Sequence, residues 1–355
     1  MKVLALNPGS TSTKVALFSD GLQEWSETQR YDAGALRQFD GIIEQEEFRL
    51  AEILKCLEAH ETPLSQLRAV VGRGGLLKPI ASGTYEVNDA MLQDLRSCRY
   101  GSHASNLGAL LAVRIAGKAG CRSVYIVDPV VVDELSPLAR FSGIPEIENR
   151  SIFHALNQKY VARRAASEIG RTYEECRLIV VHMGGGISVG AHDKGRVVDV
   201  NNALDGEGPF SPERAGSLPA GGLVRLCFSG KYDLPELLRM ISGRGGLVAH
   251  LGTNDLREVQ RRMDEGDDRA KLVFEAMAYQ IAKEIGACAA VLEGKADAVV
   301  FTGGLAYSER FLSLIRGRIS FVGPVIIYPG EDEMKALAEG AYRILRGDEM
   351  AKTYS

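Results

Sequence analysis

Residues 3–18 read VLALNPGSTSTKVALF: an apolar run, a turn with one glycine and four hydroxyls, and a second apolar run. The same plan returns in RLIVVHMGGGISVGAHDKGRVVDV, residues 177–200. In each copy an apolar strand ends on a polar residue, Asn7 or His182, and a glycine-bearing turn follows. A second strand then leads through a tight turn into a third. Asn7 to Gly21 spans 14 positions and His182 to Gly195 spans 13. The closing turns, Ser19-Asp20-Gly21 and Asp193-Lys194-Gly195, carry residues suited to positive φ. One such module is a common hairpin. Two, each heading one half of the chain, predict duplicated domains.

Outside the modules, apolar residues at helical spacing predict helices over Gln45–His60, Asn106–Ala119, Ser151–Ile169 and Arg269–Leu292. Short β-like runs lie at Ala69–Val71, Val124–Val127, Ala298–Phe301 and Val325–Tyr328. This alternation predicts an α/β architecture with mixed sheets. We expect a domain over residues 1–150 and a second over 151–355, with the last helix packing back on the first. No low-complexity linker separates the halves, which points to a packed hinge and a cleft.

The chain has 355 residues, 45% hydrophobic and 25% charged, as in ordinary soluble proteins. Its length suits two domains, each with a core. The net charge of −4 gives no basic footprint for nucleic acid. The six cysteines are scattered with no CxxC pair, which reads as reduced thiols in a cytosolic protein. No signal peptide heads the sequence, and no run approaches the ~18 apolar residues that span a bilayer. A cytoplasmic protein without a membrane partner is expected.

Four glycine-bearing turns after strands are candidate phosphate cradles: residues 7–13, 182–188, 202–217 and 302–309. Walker A, GxGxxG, HRD/DFG and GxSxG patterns are absent. The stretches VGRGGLLKP, YGSHASNLGALLA, VDPVV, IFHALNQKYVARRAA, NNALDGEGPFSPERAGSLP and VVFTGGLAYSERF, with the two modules, resemble the acetate kinase family, in its branch acting on butanoate. The likeness runs from Val3 to about Ala341. It implies two duplicated ribonuclease H-like (actin-like ATPase) domains around an interlobe cleft. The implied reaction is reversible phosphorylation of a short-chain fatty acid, ATP + butanoate giving ADP + butanoyl phosphate, with Mg²⁺. A homo-oligomer of unspecified size is implied too. The last helix aside, the carboxylate belongs to the first domain and the nucleotide to the second.

A carboxylate is ionised at neutral pH and needs no strong base, but it must approach another anion. Cationic groups and a metal meet that need. By resemblance Arg73 binds the carboxylate, Arg214 stabilises the transferring phosphoryl group, and His154 and His103 are active-site histidines. Each histidine also suits a capping or packing role. Asp128, before Pro129, reads either as a turn former or as a group orienting an arginine or bound water. ATP/ADP is assigned to Asn7, Ser10, Thr11, Ser12, Thr13, His182, Gly184, Gly185 and Gly186, with Thr302, Gly303 and Gly304 for adenosine. Mg²⁺ is assigned to Asn7 with Asp332 or Glu333, the choice being open. Lys14 has no assigned role.

Acetate kinases carry two valines where this chain has Gly74 and Gly75. With Arg73 and Phe153 these residues are expected to form the acyl pocket. Loss of the valines should enlarge it, each buried methylene being worth roughly 0.8 kcal/mol. C4–C5 acids, straight or branched, are favoured over acetate. A propionate or branched-chain acid kinase is the alternative of the same fold. A non-catalytic nucleotide switch is the alternative of another class, and the joint presence of Arg73, Asp128, His154 and Arg214 speaks against it.

Overall fold

The computed structural model describes residues 1–355, the side chain of Ala33 excepted. Twelve strands form two sheets: β1 (Lys2–Pro8), β2 (Ser12–Ser19), β3 (Leu22–Arg30), β4 (Leu67–Arg73), β5 (Thr84–Glu86), β6 (Val124–Val127), β7 (Arg177–Met183), β8 (Ile187–Asp193), β9 (Arg196–Val200), β10 (Ala298–Gly303), β11 (Val325–Pro329) and β12 (Lys352–Thr353). The order is β12-β5-β6-β4-β1-β2-β3 in one sheet and β11-β10-β7-β8-β9 in the other.

The repeat read from the sequence is a repeat of topology. β1 pairs antiparallel with β2 and parallel with β4, and β4 runs parallel to β6. β7 does the same with β8 and β10, and β10 runs parallel to β11. Even the irregularities correspond: β2–β3 shifts register at Leu17/Phe18 and β8–β9 at Ala191/His192. The two-residue hairpin turns have φ of 49° and 88° at Asp20-Gly21, and 49° and 86° at Lys194-Gly195. These are the doubly positive φ values that match the strands' twist.

Two compact units result: Met1–Val132 with Asp332–Ser355, and Asp133–Glu331. The division thus falls at 132/133 rather than 150/151. In the first unit, helix Leu107–Ala119 covers one sheet face and helix Glu333–Arg346 packs on β1, β4 and β6. The first helix crosses β4 closely enough that a Cβ on Gly72 would stand 2.2 Å from Gly108 O. In the second unit, helix Asp268–Val291 packs on β7 and β8, and helix Ala155–Glu168 on β7 and β10. β7 sends Ile179, Val181 and Met183 into one cluster and Leu178 and Val180 into the other. Burial on both faces is why its sequence is a continuous apolar run. All six cysteines are free thiols. Among the described residues, no helix is long and apolar enough to cross a membrane.

Candidate active site

In the first unit, three chain segments converge at the sheet's C-terminal ends: Asn7 on β1, Arg73 closing β4, and Glu333 opening its helix. Arg73 Nη1 donates to Glu333 Oε2 at 2.9 Å and to Asn7 Oδ1 at 3.2 Å. Asn7 Nδ2 donates to Glu333 Oε2 at 2.6 Å. Only Nη1 of the guanidinium is engaged. Nε and Nη2 have no hydrogen bond among the described residues, and the side chain is 33% exposed. Asp332 is exposed and leaves its side chain out of this group, so Glu333 is the carboxylate that Asn7 and Arg73 share.

Asp128 follows β6 in a left-handed conformation, φ 36°, directly before Pro129. Such a backbone is strained and persists only where surroundings impose it. Ser82 Oγ and Gly83 N both donate to its Oδ1, at 2.6 and 2.7 Å. His103 is exposed and caps a short 3-10 turn, Nδ1 accepting from Ser105 N at 3.2 Å. Partial desolvation by the surrounding chain, then the charge of Arg73, holds its imidazole below the usual value.

Gly74 and Gly75 leave no room at their own Cβ positions. Both are buried. A Cβ on Gly74 would stand 2.5 Å from Pro129 Cβ, and one on Gly75 2.6 Å from Asn106 Cα and 2.7 Å from Leu95 Cδ2. The room freed by glycine is filled by neighbouring chain. Phe153 is buried at 2% exposure.

The Gly9–Thr13 turn is held from beneath by Arg49, which sequence reasoning missed. Arg49 is fully buried. Its Nη1 donates to Gly9 O, Ser12 O and Thr13 Oγ1, and its Nη2 to Ser10 O and Gln45 Oε1. Thr13 therefore turns inward, whereas Ser10 and Thr11 are exposed at the tip. A lone arginine inside EEFRLAEIL looks like an exposed helix position, and only the turn's inward carbonyls explain its burial. Lys14 lies opposite Asn7 in the β1–β2 register.

In the second unit, His182 is the penultimate residue of β7 and the Gly184–Gly186 turn follows the strand. The His182 and His154 rings stack, centroids 3.8 Å apart and 13° from parallel. His182 Nδ1 lies 2.9 Å from Asn157 Oδ1. Its Nε2 is 3.1 Å from Glu331 Oε1 but off the hydrogen-bonding direction, so this buried atom has no hydrogen bond. Arg214 lies flat on the glycine turn and donates to Ala203 O through Nη1. A Cβ on Gly186 would stand 2.0 Å from that nitrogen. Burial pushes the Arg214 guanidinium down, with Glu213 opposing. It stays charged, as guanidinium does in proteins.

A cleft of about 860 Å³ opens beside this turn, lined by Gly184, Gly185, Asn254, Gln260, Gly304 and Tyr307 among others. Thr302 does not line it. That side chain is buried, and Oγ1 donates to Gly330 O at 3.1 Å, bracing the strand end. Asn254 and Gln260 lie in loop and helix segments with no glycine signature to mark them, whereas Tyr307 falls in the glycine-bearing stretch 302–309.

Two copies of one sheet topology, one ending in an arginine–amide–carboxylate group and the other in a glycine turn beneath an arginine, define a phosphotransferase of the duplicated actin-like ATPase fold. The acetate kinase from Porphyromonas gingivalis shares this fold, with a TM-score of 0.78 and 22% identity, covering 97% of this chain and 99% of that one. The propionate kinase from Francisella tularensis subsp. tularensis SCHU S4 does so with a TM-score of 0.74 and 19% identity, covering 96% and 98%. Residues 147–319 match the model of the Acetokinase family. Butyrate kinase 2 of Clostridium acetobutylicum is 56% identical over 353 residues, 99% of each chain. The chain belongs to the acetokinase family, and it is an enzyme of the kinase class.

Proposed function

We propose that this enzyme phosphorylates butanoate with ATP, reversibly, giving butanoyl phosphate and ADP. The observation that carries the reading is the open edge of Arg73. Its free Nε and Nη2 match the two oxygens of a carboxylate, while Nη1 is anchored by Glu333 and Asn7. Butanoate as the acid is supported by the 56% identity to a butyrate kinase, not by Gly74 and Gly75.

The carboxylate is assigned to the first unit and the nucleotide to the cleft at Gly184, Gly185 and Gly304. A carboxylate oxygen forms the new bond to the γ-phosphorus as the bond to the leaving oxygen of ADP breaks. That electron pair departs with ADP, and no proton need move. Arg214 and the stacked His154 and His182 supply donors for the charge on the transferring group. Exposed Ser10 and Thr11 supply hydroxyls and amides for phosphate oxygens, and Asp128 fixes the Ser82–Gly83 segment that leads into β5. The Asn7 and Glu333 oxygens are hard donors of the kind Mg²⁺ takes together with phosphate oxygens and water. They would hold that ion, which neutralises phosphate charge when bound.

A cytoplasmic location is part of the proposal, as is a homo-oligomer. Val224, Phe228, Leu234 and Leu238 are exposed on and beside two short helices, and a second copy would cover them. The test is hydroxamate trapping of acyl phosphate with ATP, Mg²⁺ and straight and branched C2 to C6 acids. Butanoyl hydroxamate should form fastest. No hydroxamate from any acid sinks the enzyme assignment, and acetate or propionate as best substrate sinks the choice of acid.

A further inference from the structure

The interior of the second unit carries a hydrogen-bond chain that ends at His154. Tyr173 Oη lies 2.7 Å from His192 Nδ1, and His192 Nε2 lies 3.0 Å from Gln158 Oε1. Gln158 Nε2 lies 2.8 Å from Ser188 Oγ, which is 2.9 Å from His154 Nδ1. His192, Gln158 and Ser188 are each 0% exposed.

One link fixes the direction of all the others. Gln158 Nε2 also reaches the backbone carbonyl of Ser188 at 3.0 Å. A carbonyl only accepts, so the NH₂ group faces Ser188 and Oε1 faces His192. Oε1 in turn only accepts, which puts a proton on His192 Nε2. Complete burial, with Lys159 and Arg163 close by, keeps His192 neutral. Its Nδ1 is therefore bare and accepts from the Tyr173 hydroxyl. At the other end Ser188 Oγ accepts from Gln158, and its own O–H points to His154 Nδ1. Were Nδ1 protonated instead, the Ser188 hydroxyl hydrogen would be buried without an acceptor, a cost of about 1–3 kcal/mol.

We propose that Ser188, Gln158, His192 and Tyr173 are positioning residues that hold His154 as its Nε2–H tautomer, so that the ring offers a hydrogen-bond donor to the transferring phosphoryl group. The proposal rests on the assignment of His154 made above, and it moves no proton. A bare Nε2 would set a lone pair against phosphoryl oxygens, whereas Nε2–H meets their growing charge with a fixed dipole. The sheet makes room for the chain. On β8, opposite Val180, residue 190 is glycine, and a Cβ there would stand 2.6 Å from Gln158 Oε1 and 3.3 Å from His192 Nε2.

The test is imidazole ¹⁵N NMR on the full-length enzyme at pH 8, with kinetics of two variants. In the wild type, His154 should show a protonated Nε2 and a bare Nδ1. Ser188→Ala releases Nδ1, and kcat should fall about 10-fold with KM for ATP and acid within twofold. Gln158→Met can neither donate nor accept, so Ser188 loses the donor that turns its hydroxyl toward His154, and kcat should again fall with KM within twofold. A wild-type His154 protonated on Nδ1 overturns the proposal, even if neither variant folds. So does a folded Ser188→Ala enzyme with unchanged tautomer and kcat. Absence of acyl phosphate from the wild type would instead refute the function, and the tautomer measurement would stand apart from it.

Discussion

Gly186→Ala isolates the contact between Arg214 and the glycine turn. Gly186 is outside the left-handed region, so the backbone accepts alanine and the effect is steric. The added Cβ would stand 2.0 Å from Arg214 Nη1 and 2.4 Å from Cζ. Ordinary contact begins at 3.4 Å, so the guanidinium must retreat by roughly 1 Å or more. That retreat breaks the bond from Nη1 to Ala203 O. A misplacement on the order of 1 Å costs about 10²-fold in rate, or about 2.7 kcal/mol in the barrier. Hydroxamate trapping should show kcat down by about that factor, with KM for the acid unchanged, because Arg73 lies in the other unit. In an Arg214→Ala background Gly186→Ala should add little, since the displaced group is already gone. A folded Gly186→Ala enzyme within threefold of wild-type kcat refutes the reasoning, as does a full additive loss in the double variant.

Arg49→Met leaves the carbonyls of Gly9, Ser10 and Ser12 without their donor; urea titration should show a loss of roughly 3 kcal/mol or more. Glu333→Gln should raise the Mg²⁺ concentration needed for half-maximal activity at least about 10-fold, while Asp332→Asn changes it less than about twofold; equal effects would reopen the choice between them. Burial, then Asp199 and Glu207, raises the Glu284 carboxyl above its ordinary value. The cost of a raised acid is absent below the unfolded value near 4.5, grows as pH rises above it and is complete above the folded pKa. Glu284→Gln should therefore stabilise more at pH 8 than at pH 5 by urea titration, and the opposite order would contradict it.

The sheet modules were legible because their signals are local: a strand buried on both faces, a glycine turn and a positive-φ hairpin are written in consecutive residues. Short motifs singled out Arg73, Asn7, His154 and Arg214, and the fold sets Arg73 beside Asn7 and His154 against His182. Arg49 was not, because its reason for burial is the carbonyls of a turn far along the chain. Gly74 and Gly75 pose the same problem. A glycine in a sequence signals missing volume, but only the fold says whether that volume is open or taken, here by Pro129 and Asn106. The choice between Asp332 and Glu333 likewise depends on helix phase, since only Glu333 faces Asn7 and Arg73.

The duplicated module shows how one topology diverges at its functional ends. Both copies place a turn after the first strand, and both turns must satisfy inward carbonyls to leave amides or hydroxyls facing outward. In the first unit a buried cation does this, collecting Gly9, Ser10 and Ser12. In the second, Ser211 Oγ and Glu213 N donate to Gly185 O, and Gly184 N donates to Gly186 O. Arg49 lies beneath its turn, with Nη1 and Nη2 both committed to it, whereas Arg214 lies on its own turn and reaches Ala203 O through Nη1. The same residue type is thus structural in one copy and available for chemistry in the other. Loss of Arg49 should therefore show first in stability, and loss of Arg214 first in kcat.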